Sequence, residues 1–536
     1  MQLHAAADTN TNELEMYKQR CREYEQHIEE LKNNYEIRIQ ALKDYQYKYM
    51  EIKEQYDLLV YKRFARSAEQ LLADEKQPPL FIEETKQAEV QEETKQEIET
   101  VKSFTRKKGG RKPLSVHLER RPRIIDIAEN EKTCACGAVL TKIGEEISER
   151  LIIKPPQIYV DQIVRPKYAC RQCEGTEDED KPAVRIAPVE PSLIPKSITS
   201  PSLLATIFTQ KFELHLPYYR QEKQFEHIGV VISRQDMSNW QQQVYQKLSL
   251  LFGLLKETVK TGPVLQMDET PVQVMGEEGR SDKQESYMWL ARGGPPGKRV
   301  IWYEYHPTHA AYNAREFLEG YSGYLQTDGY QGYTSALQDI PGIIHVGCFA
   351  HARRKFFEAA KVSKDGRSAQ EGIKHIRHLY DIEDELRKEL KDKKLNEGTF
   401  LSERKTRTEP VLEKFKAWLL KRKEEVPPSL LLGKAIGYSL SQWDKLAAYL
   451  ESPYLTPDNN ACENAIRPFV LGRKNWLFCQ SPMGAESSCG MYSLIETAKQ
   501  SGLVPFEYLM TVFEKAPYAL VLEDWEKLLP WNIFTA

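Results

Sequence analysis

The chain has no long apolar run. Nowhere in its 536 residues does it approach the roughly 18 to 20 consecutive apolar residues of a membrane-spanning helix. Its first residues, MQLHAAADTNTNELEMYK, lack the basic-then-apolar order of a secretory signal. Together these absences point to a cytoplasmic protein with no membrane partner. Cysteine is sparse: nine residues in a long chain, four of them in two close pairs. That usage argues against a disulfide framework and for reduced thiols with one metal site. Net charge is nearly absent at −3, so the average gives no hint of a polyanionic partner.

What is present is a chain with 41% hydrophobic and 29% charged residues, a globular composition long enough for three or four domains. The charge is uneven along it. Residues 83–100 carry seven acids and two lysines, whereas residues 102–123 carry nine Lys or Arg against one Glu.

From Leu14 the apolar positions step alternately by three and four: Leu14, Tyr17, Cys21, Tyr24, Ile28, Leu31, Tyr35, then Leu42, Tyr45, Tyr49, Ile52, Tyr56 and Leu59, with only Arg38 interrupting. A 3.5-residue repeat over six heptads is the signature of a coiled coil and implies self-association, with a dimer expected. A single helix docked on the body of the same chain is the other reading. Beyond residue 73 the sequence turns charged and poor in aromatics, as a linker does. It ends in TRKKGGRKPLSVHLERRPR, where Arg106, Lys107, Lys108, Arg111 and Lys112 form an extended basic strand suited to DNA phosphates or a narrow minor groove. A solubilising linker would have the same composition.

CACG supplies Cys134 and Cys136, and CRQC supplies Cys170 and Cys173. Two thiolates on each of two turns can close a tetrahedral shell around a structural zinc, with no open position for catalysis; reduced structural cysteines are the other reading. Farther on, a helix ending near Gly229 is followed by Ser233, a good cap for a second helix that presents Arg234, Gln235, Ser238 and Asn239 outward and Met237 and Trp240 inward. That is a helix-turn-helix pattern, common also in helices that never meet DNA.

TGPVLQMDETPVQVM reads as a strand carrying Asp268, and ESYMWLARGG and RVIWYEYHPT as two more. HAAYNAREFLEG then reads as a helix, GYLQTDGYQGY as a strand ending at Asp328, TSALQDI as a short helix, and GIIHVGCFAHARRKFFEAAK as a strand running into a helix. Three strands, then helix, strand, helix, strand, helix is the element order of an RNase H-like fold, in which the first and fourth strands lie side by side. Asp268 and Asp328 would then be neighbours. With a third acid they could hold two divalent ions for displacement at phosphorus, magnesium or manganese given oxygen-only ligands. Glu463, set among Asn459, Asn460, Asn464 and Arg467, is the natural third. Its plainer alternative is a helical pair with Arg467 four residues on. Arg467, Arg473 and Lys474 would grip the polyanion, and Pro468 is expected to end or kink the helix one turn past Glu463.

MDETPV, TDGYQGY, HARRKF, DNNACENAIRPFVLGRKNWLF and YSLIETAKQSGLVPFEYL resemble the insertion-sequence-66 family of bacterial DDE transposases. The likeness extends to RFARSAEQL, GRKPL, LPYYRQE and the cysteine pairs, nearly the whole chain. It implies that Asp268, Asp328 and Glu463 are the DDE triad and that double-stranded DNA, at the element's ends and at the target, is the partner, with small accessory proteins of the same element as further partners. Cys348 and His351 match a C-x-x-H signature of several transposase groups; packing of the fifth strand is the plainer role for them. Where members often carry histidine or alanine near DET, this chain has Gln266 and Met267.

The expected organisation is a multidomain α+β chain. It comprises a coiled-coil helix (1–73), a charged linker with a basic segment (74–123), a zinc module (124–190) and a helix-turn-helix-like domain (191–260). An RNase H-like core follows (261–360 and 456–536), interrupted by a helical insertion (361–455). The leading function is a transposase that cleaves and joins DNA strands. A catalytically inactive DNA-binding regulator on the same fold is the alternative, and intact acids at all three positions argue against it. A junction-resolving nuclease would explain the acids but not the coiled coil, zinc module or basic segment.

Overall fold

A computed structural model describes residues 2–64, 158–169, 184–338, 340–362 and 367–533. It is a multidomain α+β chain with a mixed sheet and many helices. Residues 81–189 form one compact unit, and residues 1–80 with 190–536 the other. In the smaller unit, β1 (Lys167–Ala169) pairs antiparallel with β2 (Val184–Ile186), Tyr168 opposite Arg185. Cys134, Cys136, Cys170 and Cys173, and the basic segment with Arg106, Lys107, Lys108, Arg111 and Lys112, lie outside the described residues.

In the larger unit, α1 (Gln2–Phe64) is one unbroken helix, about 95 Å long at 1.5 Å per residue. Its heptad seam is open: Tyr17, Tyr24, Ile28, Leu31, Tyr35, Leu42, Tyr45, Tyr49, Ile52, Tyr56 and Leu59 are all exposed. Its last turns meet the rest of the unit through Glu51 and Glu54, which lie off that seam.

Four helices follow: α2 (Pro201–Phe212), α3 (Tyr218–His227), α4 (Arg234–Lys247) and α5 (Ser249–Val259). Ser233 caps α4 by accepting from the Asp236 amide, and the Asp236 carboxylate accepts from the Ser233 amide in return. Two of the first four unpaired donors of α4 are thereby satisfied. Met237 and Trp240 are buried, while Arg234, Gln235 and Asn239 are exposed.

The sheet is built from β3 (Val264–Val274), β4 (Glu285–Gly293), β5 (Val300–His306), β6 (Gly323–Gln326) and β7 (Ile343–Val346), with α6 (Ala311–Leu318) and α7 (Gln331–Ala336) between its later strands. The spatial order is β5-β4-β3-β6-β7. β4 runs antiparallel to both β3 and β5, and β6 and β7 run parallel to β3. Short connections join the antiparallel strands, whereas helices carry the parallel crossovers, as geometry requires. β6 stops at Gln326, two residues before Asp328, and α7 starts at Gln331, ahead of the TSALQDI stretch. The cause of the early stop is local: the Asp328 carboxylate accepts from the Tyr330 amide and turns the chain.

After β7 come α8 (Phe349–Val362), α9 (Arg367–Lys391), α10 (Glu397–Glu425), α11 (Leu431–Ser441) and α12 (Trp443–Ala447). Phe356, Ile376, Leu379, Phe400, Phe415, Leu419 and Ile436 share one buried core across these helices. The end of α1 docks here: Glu54 accepts from the Leu431 amide at 2.8 Å, and Glu51 pairs with Lys434 at 3.5 Å.

The chain then returns to the sheet through α13 (Asn460–Trp476), β8 (Phe478–Cys479), α14 (Pro482–Gln500), α15 (Pro505–Lys515) and α16 (Leu522–Glu526). Pro468 does not end α13 as the sequence suggested it could: the helix continues through it to Trp476. Proline removes a single backbone donor, and burial of Ile466, Phe469 and Gly472 on one face holds the turns on either side. The helix ends at Leu477, whose φ of 69° swings the chain into β8. α14 covers the free edge of β5: Ser493 accepts from the Tyr303 amide, and Thr497 both accepts from and donates to the Ile301 backbone. The strand edge is thereby closed to other chains.

Candidate active site

The sheet itself creates the site. β3 and β6 pair in parallel register, Val264 with Tyr324, Leu265 with Leu325 and Gln266 with Gln326. Two residues farther along that same register bring Asp268 and Asp328 to matching positions, just where the pairing has ended. β8 takes up the β3 edge only at Gln273, so a notch lies between. Asn459, immediately before α13, bridges it by donating its side-chain amide to the Met267 carbonyl at 3.0 Å. That anchor starts α13 beside the two aspartates, with Glu463 in its first turn, facing inward and only 5% exposed.

Like charges crowd here. Burial pushes the Asp268 carboxyl well above its ordinary range, and the charges of Glu269, Glu463 and Asp328 push it further. Burial also raises Glu463, with Asp458 and Asp328 adding to the rise and Arg354 and Arg467 opposing it. His351 Nδ1 lies 3.7 Å from Glu463 Oε1, and Arg354 Nη2 3.9 Å from Oε2, both beyond hydrogen-bonding distance. Glu463 Oε1, His351 Nδ1, Arg354 Nε, Asn459 Oδ1 and Asn460 Oδ1 are buried with no hydrogen-bond partner. Buried polar atoms without partners are costly. Raised acids and orphaned oxygens are surroundings that a bound divalent cation would relieve.

The sequence missed two supports beneath the acids. In the first, Arg292 donates to Gln266, Gln266 to Gln326, and Gln326 to the Thr456 carbonyl, at 2.6, 2.8 and 2.7 Å. This buried chain ties β4, β3 and β6 to the segment that leads into α13. In the second, Glu269 contacts His309 Nε2 at 2.8 Å and accepts from the Tyr333 hydroxyl. The His309 ring lies between Tyr287 and Tyr330, with centroids 4.4 and 4.1 Å away and planes 11° and 7° from parallel. Tyr330 is also the residue whose amide holds Asp328. Gly329 is required by close approach, since a Cβ there would come within 2.6 Å of the Tyr438 ring from α11. Adjacency to Asp268 and the HARRKF stretch were the available signals for Glu269 and Arg354. Nothing in the local sequence marks the partnership of Glu269 with His309.

The basic candidates are spread. Arg473 lies along β3 and donates to Thr270 at 3.1 Å, Arg467 is half-buried with its charge acting on Glu463, and Lys474 is exposed. Arg234 is exposed in the first turn of α4, its backbone amide held by Glu222 at 3.0 Å. Cys348, fully buried at the start of α8, accepts from the Asn459 amide at 3.2 Å. Burial draws His351 down to about 4, with the Arg354 charge adding to the effect. Among the described residues, no helix is long and apolar enough to cross a membrane.

Comparison with known proteins agrees with this picture at the level of family. Residues 196–487 match the family model described as Transposase IS66 family. Residues 131–174, which contain all four paired cysteines, match a zinc-finger binding domain of transposase IS66. Residues 493–531 match an IS66 C-terminal element, and residues 51–123 a model described as transposase C of IS166 homeodomain. Three relatives from Sinorhizobium fredii are each 30% identical: the uncharacterized proteins y4jD, y4hP and y4qI. The matches cover 78%, 81% and 79% of this chain and 81%, 78% and 77% of the relatives. With its central model matched over more than half its length, the chain belongs to the IS66 transposase family.

Proposed function

We propose that this family member is a metal-dependent DNA transposase with an RNase H-like core, in which Asp268, Asp328 and Glu463 form a DDE triad. The observation that carries the reading is the β3–β6 register, which pairs Gln266 with Gln326 and, continued by two residues, would set Asp268 against Asp328, with Asp328 and the buried Glu463 near enough for their charges to act on Asp268. The strand order, with an antiparallel trio followed by two parallel strands, supports the fold assignment.

The three acids would hold two magnesium or manganese ions, all-oxygen ligand sets being what such hard cations take. Bound there, the ions would sharpen the attacking oxygen and stabilise the leaving one at phosphorus. The chain's own residues do the rest. The Arg292–Gln266–Gln326 relay and the Asn459 anchor hold the acids in register. Arg473 and Arg467 line the approach with positive charge for the DNA backbone, and exposed Lys474 extends it. Arg234 on α4 and the basic segment Arg106–Lys112 would add phosphate contacts, and the four paired cysteines would hold a structural zinc. The open seam of α1 would pair with the same seam of a second copy, giving the dimer that handling two element ends calls for.

The test is strand cleavage of DNA carrying the element's own ends, with and without magnesium. Cleavage only with the metal supports the proposal. Tight, end-specific binding with no cleavage in either magnesium or manganese would instead make the chain a DNA-binding regulator.

A further inference from the structure

Two residues of the active-site wall, Cys348 and His351, have no role in the triad as proposed. Cys348 closes the turn from β7 into α8, and His351 follows three residues later, one helical turn on and so on the same face. Cys348 Sγ, His351 Nδ1 and a Glu463 carboxylate oxygen all lie within 4.8 Å of one another. Two of these atoms, His351 Nδ1 and Glu463 Oε1, are buried without a hydrogen-bond partner, yet point at each other across 3.7 Å.

Packing alone explains a buried cysteine, but it leaves those two polar atoms unsatisfied. A direct hydrogen bond would draw them nearly 1 Å closer. Ligands of one tetrahedral ion, by contrast, are held apart: bonds of about 2.0–2.3 Å set ligand-to-ligand edges of roughly 3.3–3.8 Å. The His351–Glu463 separation already has that length. The Asn459 amide that donates to Cys348 would also stabilise a thiolate, as backbone donors around metal-bound sulfur do.

We propose that Cys348, His351 and Glu463 form a second metal site, distinct from the magnesium pair, that takes a thiophilic divalent transition ion, zinc being the expected occupant. One sulfur, one imidazole nitrogen and one oxygen make a mixed donor set that magnesium does not favour and zinc does. Glu463 serves it through Oε1, which leaves Oε2, 3.9 Å from Arg354 Nη2, outside this ion's shell. The bound ion would position the third acid, fixing a carboxylate that otherwise has no partner on that oxygen. The inference rests on the active-site reading for its purpose, but not for its measurement.

The experiment is metal analysis of the full-length protein and of Cys348→Ser and His351→Asn, each checked for cooperative melting. The expected result is one equivalent more zinc in the wild type than in either variant, whatever the cysteine pairs at 134–173 contribute to all three. Equal zinc in all three would overturn the site. If a variant fails to fold, zinc-edge X-ray absorption of the wild type decides: a shell containing nitrogen and oxygen scatterers supports the site, and a purely sulfur shell rejects it. The two readings fail separately. Loss of cleavage in Glu463→Gln with zinc content unchanged sinks only this inference. An extra zinc in a protein whose three acids are dispensable for cleavage sinks only the triad.

Discussion

Arg404→Met is expected to loosen the third acid from a distance. Arg404 is wholly buried, and its guanidinium donates to the carbonyls of Tyr449, Ser452 and Leu455 at 2.9, 2.7 and 3.0 Å and to Glu383 at 2.7 Å. Arg387 shares two of these acceptors, Glu383 and Leu455, at 2.8 and 2.7 Å. The segment held in this way continues through Thr456, whose carbonyl takes the Gln326 side chain, to Asn459 and Glu463. Methionine fills much of the volume but leaves Glu383 with half its partners and two buried carbonyls with none from this group. Breaking a buried pair from one side costs about 3–5 kcal/mol, which at about 2 °C per kcal/mol for a large unit lowers Tm by about 6–10 °C. Adding Glu383→Leu should recover part of that loss, because the buried charge then disappears with its partner. Calorimetry or a fluorescence melt reads the stability, and cleavage at a temperature where both proteins are folded reads the consequence for Glu463. A variant that melts within a degree of wild type and cleaves normally would refute the brace.

Two further outcomes follow from the charges and surfaces. Asp268→Asn should raise Tm in EDTA at neutral pH. A carboxyl whose folded pKa is raised contributes stability only below its unfolded pKa and loses it as pH rises through the folded value, so at pH 7 the ionised group is a burden that the amide removes; a lower Tm would contradict the crowding of the acids. Magnesium should then stabilise the wild type more than the variant. Deleting residues 1–73 should reduce the subunit number in sedimentation, because the exposed α1 seam has no partner within the described chain; an unchanged number would assign assembly to another surface.

The parts legible in the sequence were those written in periodicity. The α1 seam repeats over six heptads, and the strands alternate or run apolar between turn residues. Their order alone put Asp268 on one strand and Asp328 beside it, just past the end of the neighbouring strand. What escaped was written in pairs far apart in the chain. Glu269 meets His309 across 40 residues and Gln266 meets Gln326 across 60, with no periodic signal to join them. Pro468 does not end its helix, because the burial of Ile466, Phe469 and Gly472 outweighs the loss of one backbone donor. Arg404 and Glu383 carry no signal of their own in the sequence, and only the fold shows that they hold the approach to Glu463.

The most direct measurement is single-turnover cleavage of element-end DNA by Glu463→Gln in magnesium, with DNA binding measured on the same preparation. The amide keeps the shape and removes the charge that would hold the cation, while affinity for DNA rests mainly on Lys and Arg contacts to phosphate. The account predicts cleavage lost, by at least about a hundredfold given the scale of electrostatic terms in such sites, with binding retained. Cleavage at the wild-type rate would contradict it and place the third acid elsewhere.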